Sequence, residues 1–171
     1  MLYRFENSCL RALWRARTIL VILLTLFAAN LFAQGFDSVV SQESVKSPKT
    51  TGEKPQSKVW KHDGKWWSVF SDSVNAYIWR LDGDSWTRAF KVSSSSIVKA
   101  DCKPVGNVCH ILLWKKAGIA SQLVSLEYVP STGTYQRWSQ RPSTTFEDLD
   151  PGTEVGTIDI DATGRMWVAF D

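Results

Sequence analysis

The sequence predicts an all-β chain built from repeated four-stranded antiparallel units, behind an export leader and a polar linker. Three observations predict it. From Val59 onward, short runs alternate apolar and polar residues, and Gly, Asp and Asn punctuate them at hairpin spacing. Tryptophan is concentrated in the same stretch: of nine, seven lie from Trp60 to Trp138, and Trp167 follows near the end. No segment after the leader carries a helical period. A length of 171 residues with 44% hydrophobic and 22% charged residues fits one ordinary domain with a packed core. It excludes global disorder.

The leader comes first. Residues 18–33, TILVILLTLFAANLFA, form one apolar run, with Asn30 as its strongly polar interruption. Arg4, Arg11, Arg15 and Arg17 precede it, and small residues follow at Ala33 and Gly35. A basic start, a short apolar run and small residues at the exit are the layout of a secretory signal, read here over residues 1–35. The competing reading is an uncleaved anchor, for which the run is short, because a spanning helix needs roughly 20 apolar residues. Both readings export the rest of the chain to the periplasm, the cell surface or the medium.

Charge follows the same division. The four leader arginines against Glu6 account for the whole formal charge of +3, and the remainder is balanced. A balanced folded part has no electrostatic footprint for nucleic acid. Residues 36–58 are read as a flexible linker. Within it, 37–58 hold no aromatic residue, and serine, lysine and proline dominate, too little apolar surface to offset ordering entropy.

The strands repeat. KVWKHDGKWWSVF (58–70) turns at Asp63-Gly64, ADCKPVGNVCHILLW (100–114) at Gly106-Asn107, and TIDIDATGRMWVAF (157–170) near Gly164. In each, an extended run meets a glycine turn and then a strongly apolar strand. Second hairpins lie between them: NAYIWRL (75–81) turns through 82–84, and LVSLEYV (123–129) through 130–133. Glycine, Asn and Asp occupy these turns because tight hairpins need positive φ. Four-stranded units at intervals of about 40–50 residues are the signature of β-propeller blades. The expected blades are 58–91, 96–140 and 154–171, about two and a half, so the chain is expected to be part of a longer one whose remaining blades complete the ring. A complete, small twisted sandwich is the alternative.

The motifs carry a resemblance. IDIDATGRMWVAFD (158–171) resembles the D-x-x-G-x-x-W-hydrophobic core of two-component-regulator-type propeller repeats, and HDGKWWSVF (62–70) resembles it more loosely. Asp161, Gly164 and Trp167 also match part of the Asp-box of sialidase-like propellers, without its Ser and with one more residue between Asp and Gly. The span 59–171 is similar to the propeller region of large secreted Bacteroidota proteins. The resemblance implies a fold and no catalytic residue.

Candidate chemistry is sparse. Cys102 and Cys109 remain after the leader, an even number in an oxidising compartment. A two-residue turn at Gly106-Asn107 makes them diagonal neighbours on one face, with Cα atoms roughly 7–8 Å apart. That is long for a disulfide, and Pro104 is placed to introduce a closing bulge. A bridge and two buried thiols both remain open. Asp159, Asp161 and Gly164 give D-x-D-x-x-G, short of a calcium loop. His62 and His110 lack partners at metal spacing. Glu147, Asp148, Asp150 and Glu154 cluster in a connector, where such residues are usually turn formers. No phosphate loop, nucleophile elbow or dinucleotide fingerprint occurs, and no cofactor is implied.

The expected function is therefore binding or scaffolding of a glycan or protein ligand by an exported module. In propellers, loops between second and third strands surround one channel mouth. Asp72, Lys115 and Lys116 are the charged residues there and are the candidate contacts. Two other classes stay open: a glycoside-active propeller enzyme and a periplasmic sensor ectodomain.

Overall fold

The computed structural model describes residues 41–47, 58–96, 98–115, 120–150 and 152–171. The leader and its expected signal helix, most of the 36–58 linker, and Lys116 lie outside them. Residues 41–47 form neither helix nor strand, and the Glu43 N–H donates to the Asp84 carbonyl at 3.0 Å. Among the described residues there is no helix, and so none long and apolar enough to cross a membrane.

The strands form antiparallel sheets of four, five and two. The first is a meander, β1 (Val59–His62), β2 (Lys65–Ser71), β3 (Ala76–Asp82) and β4 (Ser85–Ser93), in that order. The second runs β5 (Lys99–Val105), β6 (Val108–Trp114), β7 (Ser121–Val129) and β8 (Thr134–Arg137), and β9 (Thr145–Glu147) also pairs with β7. The third is the hairpin of β10 (Gly156–Ile160) and β11 (Met166–Phe170). Each turn falls where its glycine predicts. His62 pairs with Lys65 across Asp63-Gly64, whose φ angles of 47° and 73° are the two positive values a type I′ turn demands. Val105 pairs with Val108 across Gly106-Asn107.

Alternation along each strand decides what meets what. Trp60, Trp67, Val69, Ala76 and Ile78 share one face of the first sheet. They pack against Ala100, Cys102, Cys109, Ile111, Leu113, Val124 and Leu126 on one face of the second. The other face of the second sheet carries Leu112, Trp114 and Leu123, which pack against Ile158, Met166 and Val168 of the hairpin. The second sheet is thus covered on both faces. That explains why β6, VCHILLW, is an unbroken apolar run rather than an alternating one, with every residue after Val108 buried.

The first interface is held by rings and hydrogen bonds between distant residues. Trp67 is fully buried and meets Tyr128 and Tyr135 edge-on at 5.9 and 4.9 Å. The Trp60 indole N–H donates to the Tyr135 hydroxyl at 2.9 Å, and the Tyr128 hydroxyl donates to Asp63 at 2.5 Å. Burial pushes the Tyr135 phenol far up, so it stays protonated. Trp66, next in sequence to Trp67, points the other way and is 48% exposed.

Cys102 and Cys109 are diagonal neighbours on the face toward the first sheet, since Cys102 pairs with Ile111 and Pro104 with Cys109. Both are buried thiols with no disulfide between them, the second of the two states left open. Burial and the hydrogen bond with Cys102 push the Cys109 thiol well up.

The second interface is smaller and more polar at its edge. The buried Asp101 carboxylate accepts from the Ile158 N–H at 3.0 Å and the Thr157 hydroxyl at 2.9 Å. Lys99 donates to the Glu154 carbonyl, and Lys103 pairs with Asp159 at 2.7 Å. Gly156 lies against the Trp114 ring and Leu112, where a Cβ would come within 3.3 and 3.2 Å. Glycine is what lets β10 sit this close.

The connector that holds Glu147, Asp148 and Asp150, read from the sequence as turn-forming, contains β9. β8 pairs with the C-terminal half of β7, Leu126–Val129, and β9 with the N-terminal end, Ser121–Leu123. The fourth strand of this sheet is therefore split along one edge. Trp138 N–H still donates to the Ser125 carbonyl at 3.1 Å, and then the chain turns, with Arg141 N–H donating to the Trp138 carbonyl at 2.9 Å. Pro142 follows, which has no N–H to continue a ladder.

Candidate functional site

The split strand opens a cleft of about 520 Å³, within the range that takes small ligands. Its walls come from three places. The β5–β6 hairpin supplies Val105, Val108 and His110. The interruption after β8 supplies Trp138, Gln140 and Arg141. The β10–β11 hairpin supplies Ile160, Gly164 and Met166.

One residue positions two of the polar walls. Ser125 is fully buried on β7. Its hydroxyl lies 2.9 Å from His110 Nδ1, and its carbonyl holds the Trp138 N–H. The His110 and Trp138 rings then meet edge to face, with centroids 5.6 Å apart and planes at 81°. Burial lowers the His110 pKa, and the positive charge of Arg141 lowers it further, so the imidazole is neutral at pH 7.

Arg141 is half-buried. Its Nη2 donates to the Thr145 hydroxyl at 2.6 Å and its Nη1 to the Met166 thioether at 3.3 Å. Both partners are neutral, and a guanidinium carries five N–H groups. The exposed Gln140 amide lies one residue away. No aspartate or glutamate lines the cleft among the described residues.

The cleft floor is fixed by the turn at 161–165. The Asp161 carboxylate accepts the Thr163 hydroxyl (2.6 Å), the Trp167 indole N–H (2.9 Å) and the backbone N–H groups of Arg165 and Thr163 (both 2.9 Å). These donors bring its pKa down to about 2. Asp161, Gly164 and Trp167 of the D-x-x-G-x-x-W motif thus act together, as a turn lock. Trp167 itself is 55% exposed.

Of the charged residues expected at a channel mouth, Asp72 and Lys115 are among the described residues, and neither lines the cleft. Asp72 is buried in the β2–β3 turn. One oxygen accepts the Val74 and Asn75 N–H groups at 2.7 and 2.8 Å, and the other pairs with Arg88 at 2.6 Å. Burial raises its pKa, but those donors and Arg88 outweigh that and hold the carboxyl below its ordinary value. Asp72 is a turn former, not a presented contact. Lys115 is half-buried at the end of β6, the opposite end from the cleft-lining Val108 and His110. Glu147, Asp148 and Asp150 are exposed.

Sequence reasoning missed Trp138, Gln140 and Arg141. The available signal was the polar stretch SQRPS, with its proline, directly behind an aromatic strand end. Comparison with family models, with curated proteins and with solved structures finds no match for this chain.

Proposed function

We propose that this chain is an exported glycan-binding module, with its stacked meanders arranged as successive blades of a propeller-type fold. The blade reading is supported by two consecutive meanders with the same strand order, packed face to face, and a third hairpin begun on the next face. The export reading rests on the leader.

The cleft carries the binding reading. A sugar ring has apolar C–H faces and a rim of hydroxyls. It therefore calls for an indole surface flanked by planar hydrogen-bonding groups. Trp138 with Gln140, Arg141 and the neutral His110 supplies that set in one concavity. Glycoside hydrolysis needs a pair of carboxyl groups about the scissile bond. The described lining holds none, which favours binding over turnover.

The test is calorimetric titration of the full chain against a panel of neutral and acidic oligosaccharides. At least one sugar class binds. Trp138→Ala weakens that binding about tenfold or more, the equivalent of about 1.4 kcal/mol. Trp66→Ala, on the outer face of the first sheet, leaves it unchanged. Absence of binding across the panel rejects the reading.

A further inference from the structure

We infer that the cleft selects acidic saccharides, with the Arg141 guanidinium receiving a sugar carboxylate. The inference rests on the glycan-binding reading and narrows its ligand class.

The place of Arg141 in the cleft together with its lack of an anion among the described residues points to it, since Arg137, also half-buried without a carboxylate among them, lies over the Phe90 ring and does not line the cleft. Arg80 and Arg88 pair with Asp82 and Asp72, and Lys65 and Lys103 with Asp82 and Asp159. Arg141 contacts a hydroxyl and a thioether instead, and no carboxylate pairs with it among the described residues. It is half-buried beside Trp138 and is the one formally charged side chain among those lining the cleft. A partly desolvated cation without an anion is costly, and an anion arriving with a ligand removes that cost.

The geometry of the group specifies the anion. Two of five N–H groups are engaged, and those contacts fix the guanidinium plane against Thr145 and Met166. The remaining donors lie in a fork that matches a carboxylate. Neutral His110 neither competes as a cation nor repels one, and it keeps a ring nitrogen beyond the one at Ser125 for a sugar hydroxyl. A uronic-acid residue combines the ring that Trp138 requires with the carboxylate that Arg141 requires.

The experiment compares trigalacturonate with galactotriose on the full chain at pH 7, by calorimetry. Trigalacturonate is expected to bind about ten- to hundredfold more tightly, the range for a charge-assisted hydrogen-bond pair. Raising the salt concentration narrows that ratio, and Arg141→Gln brings it to about one. Acetate, a carboxylate without a ring, competes only at far higher concentration. Equal binding of the two trisaccharides overturns the inference and leaves the glycan reading standing, and so does an unchanged ratio in Arg141→Gln. Acetate that competes as well as the uronide also overturns the inference. Binding by neither sugar, nor by any other, removes both. The wild-type comparison needs no variant, so a misfolded substitution leaves the test intact.

Discussion

The second sheet has two faces and uses them differently. Toward the first sheet it presents Cys102, Cys109, Ile111, Leu113, Val124 and Leu126 to a continuous wall that includes Trp60 and Trp67. Toward the β10–β11 hairpin its apolar contact shrinks to Leu112, Trp114 and Leu123, and polar latches take over at the edge. The first interface is the broader of the two and carries the aromatic cluster of Trp60, Trp67, Tyr128 and Tyr135. The second leaves a cleft at the Val105–Val108 end, where the fourth strand splits: Trp138 keeps its backbone bond to Ser125 of β7, and the chain turns off at Arg141. Broad aromatic burial makes one face a foundation. A local latch beside an interrupted strand makes the other a place where a ligand can enter.

The largest expected effect breaks the first interface. Trp67→Ala removes a fully buried indole and its edge-on contacts with Tyr128 and Tyr135. It should lower global stability by about 3–5 kcal/mol, the cost of truncating a core aromatic residue. Urea denaturation followed by far-ultraviolet circular dichroism measures it. A loss under about 1 kcal/mol would mean that the two sheets do not depend on each other as described.

A smaller and more local effect is expected at the second interface. Asp101→Ala strands the buried Ile158 N–H and frees the Thr157 hydroxyl. The expected cost is about 1–3 kcal/mol. It should appear as faster amide exchange in Gly156–Phe170, with β1–β3 still protected. Uniform acceleration across both sheets would show that the two faces are one cooperative unit.

The smallest effect concerns the turn lock. The Asp161 carboxyl is depressed to about 2 from an ordinary 3.8 by Thr163, Trp167 and Arg165. A depressed folded-state pKa contributes stability that is complete above the ordinary value and is lost as pH falls toward the folded value. The Trp167 indole N–H resonance should therefore stay constant down to about pH 4 and shift with a midpoint near 2. A midpoint at the ordinary carboxylate value would leave the lock without energetic content.

Much of the architecture was legible because hairpin turns are local. Asp63-Gly64 and Gly106-Asn107 state their own geometry, and with the turn placed, register and face follow residue by residue, down to the diagonal Cys102 and Cys109. Trp66 and Trp67 had to part company for the same reason, and the structure exposes one and buries the other. The cleft was not legible. Trp138, Gln140 and Arg141 occupy a connector of turn-forming composition, and their meeting with His110 depends on Ser125 and on a hairpin that begins some 15 residues later. Asp72 misled because a charged residue in a turn looks alike in sequence whether it is presented to solvent or closes the turn on itself.

Taken alone, the order of residues determined the all-β class, the positions of the hairpins and the alternation of faces, since turn propensity and a period of two act within a few residues of chain. Only the tertiary structure decided that β6 would be covered on both sides, that the fourth strand of the second sheet would divide around Pro142, and that Arg141 would lie half-buried beside Trp138 with no carboxylate paired to it among the described residues. Those outcomes depend on which surfaces approach through space, and packing between distant strands is not encoded in any one short segment.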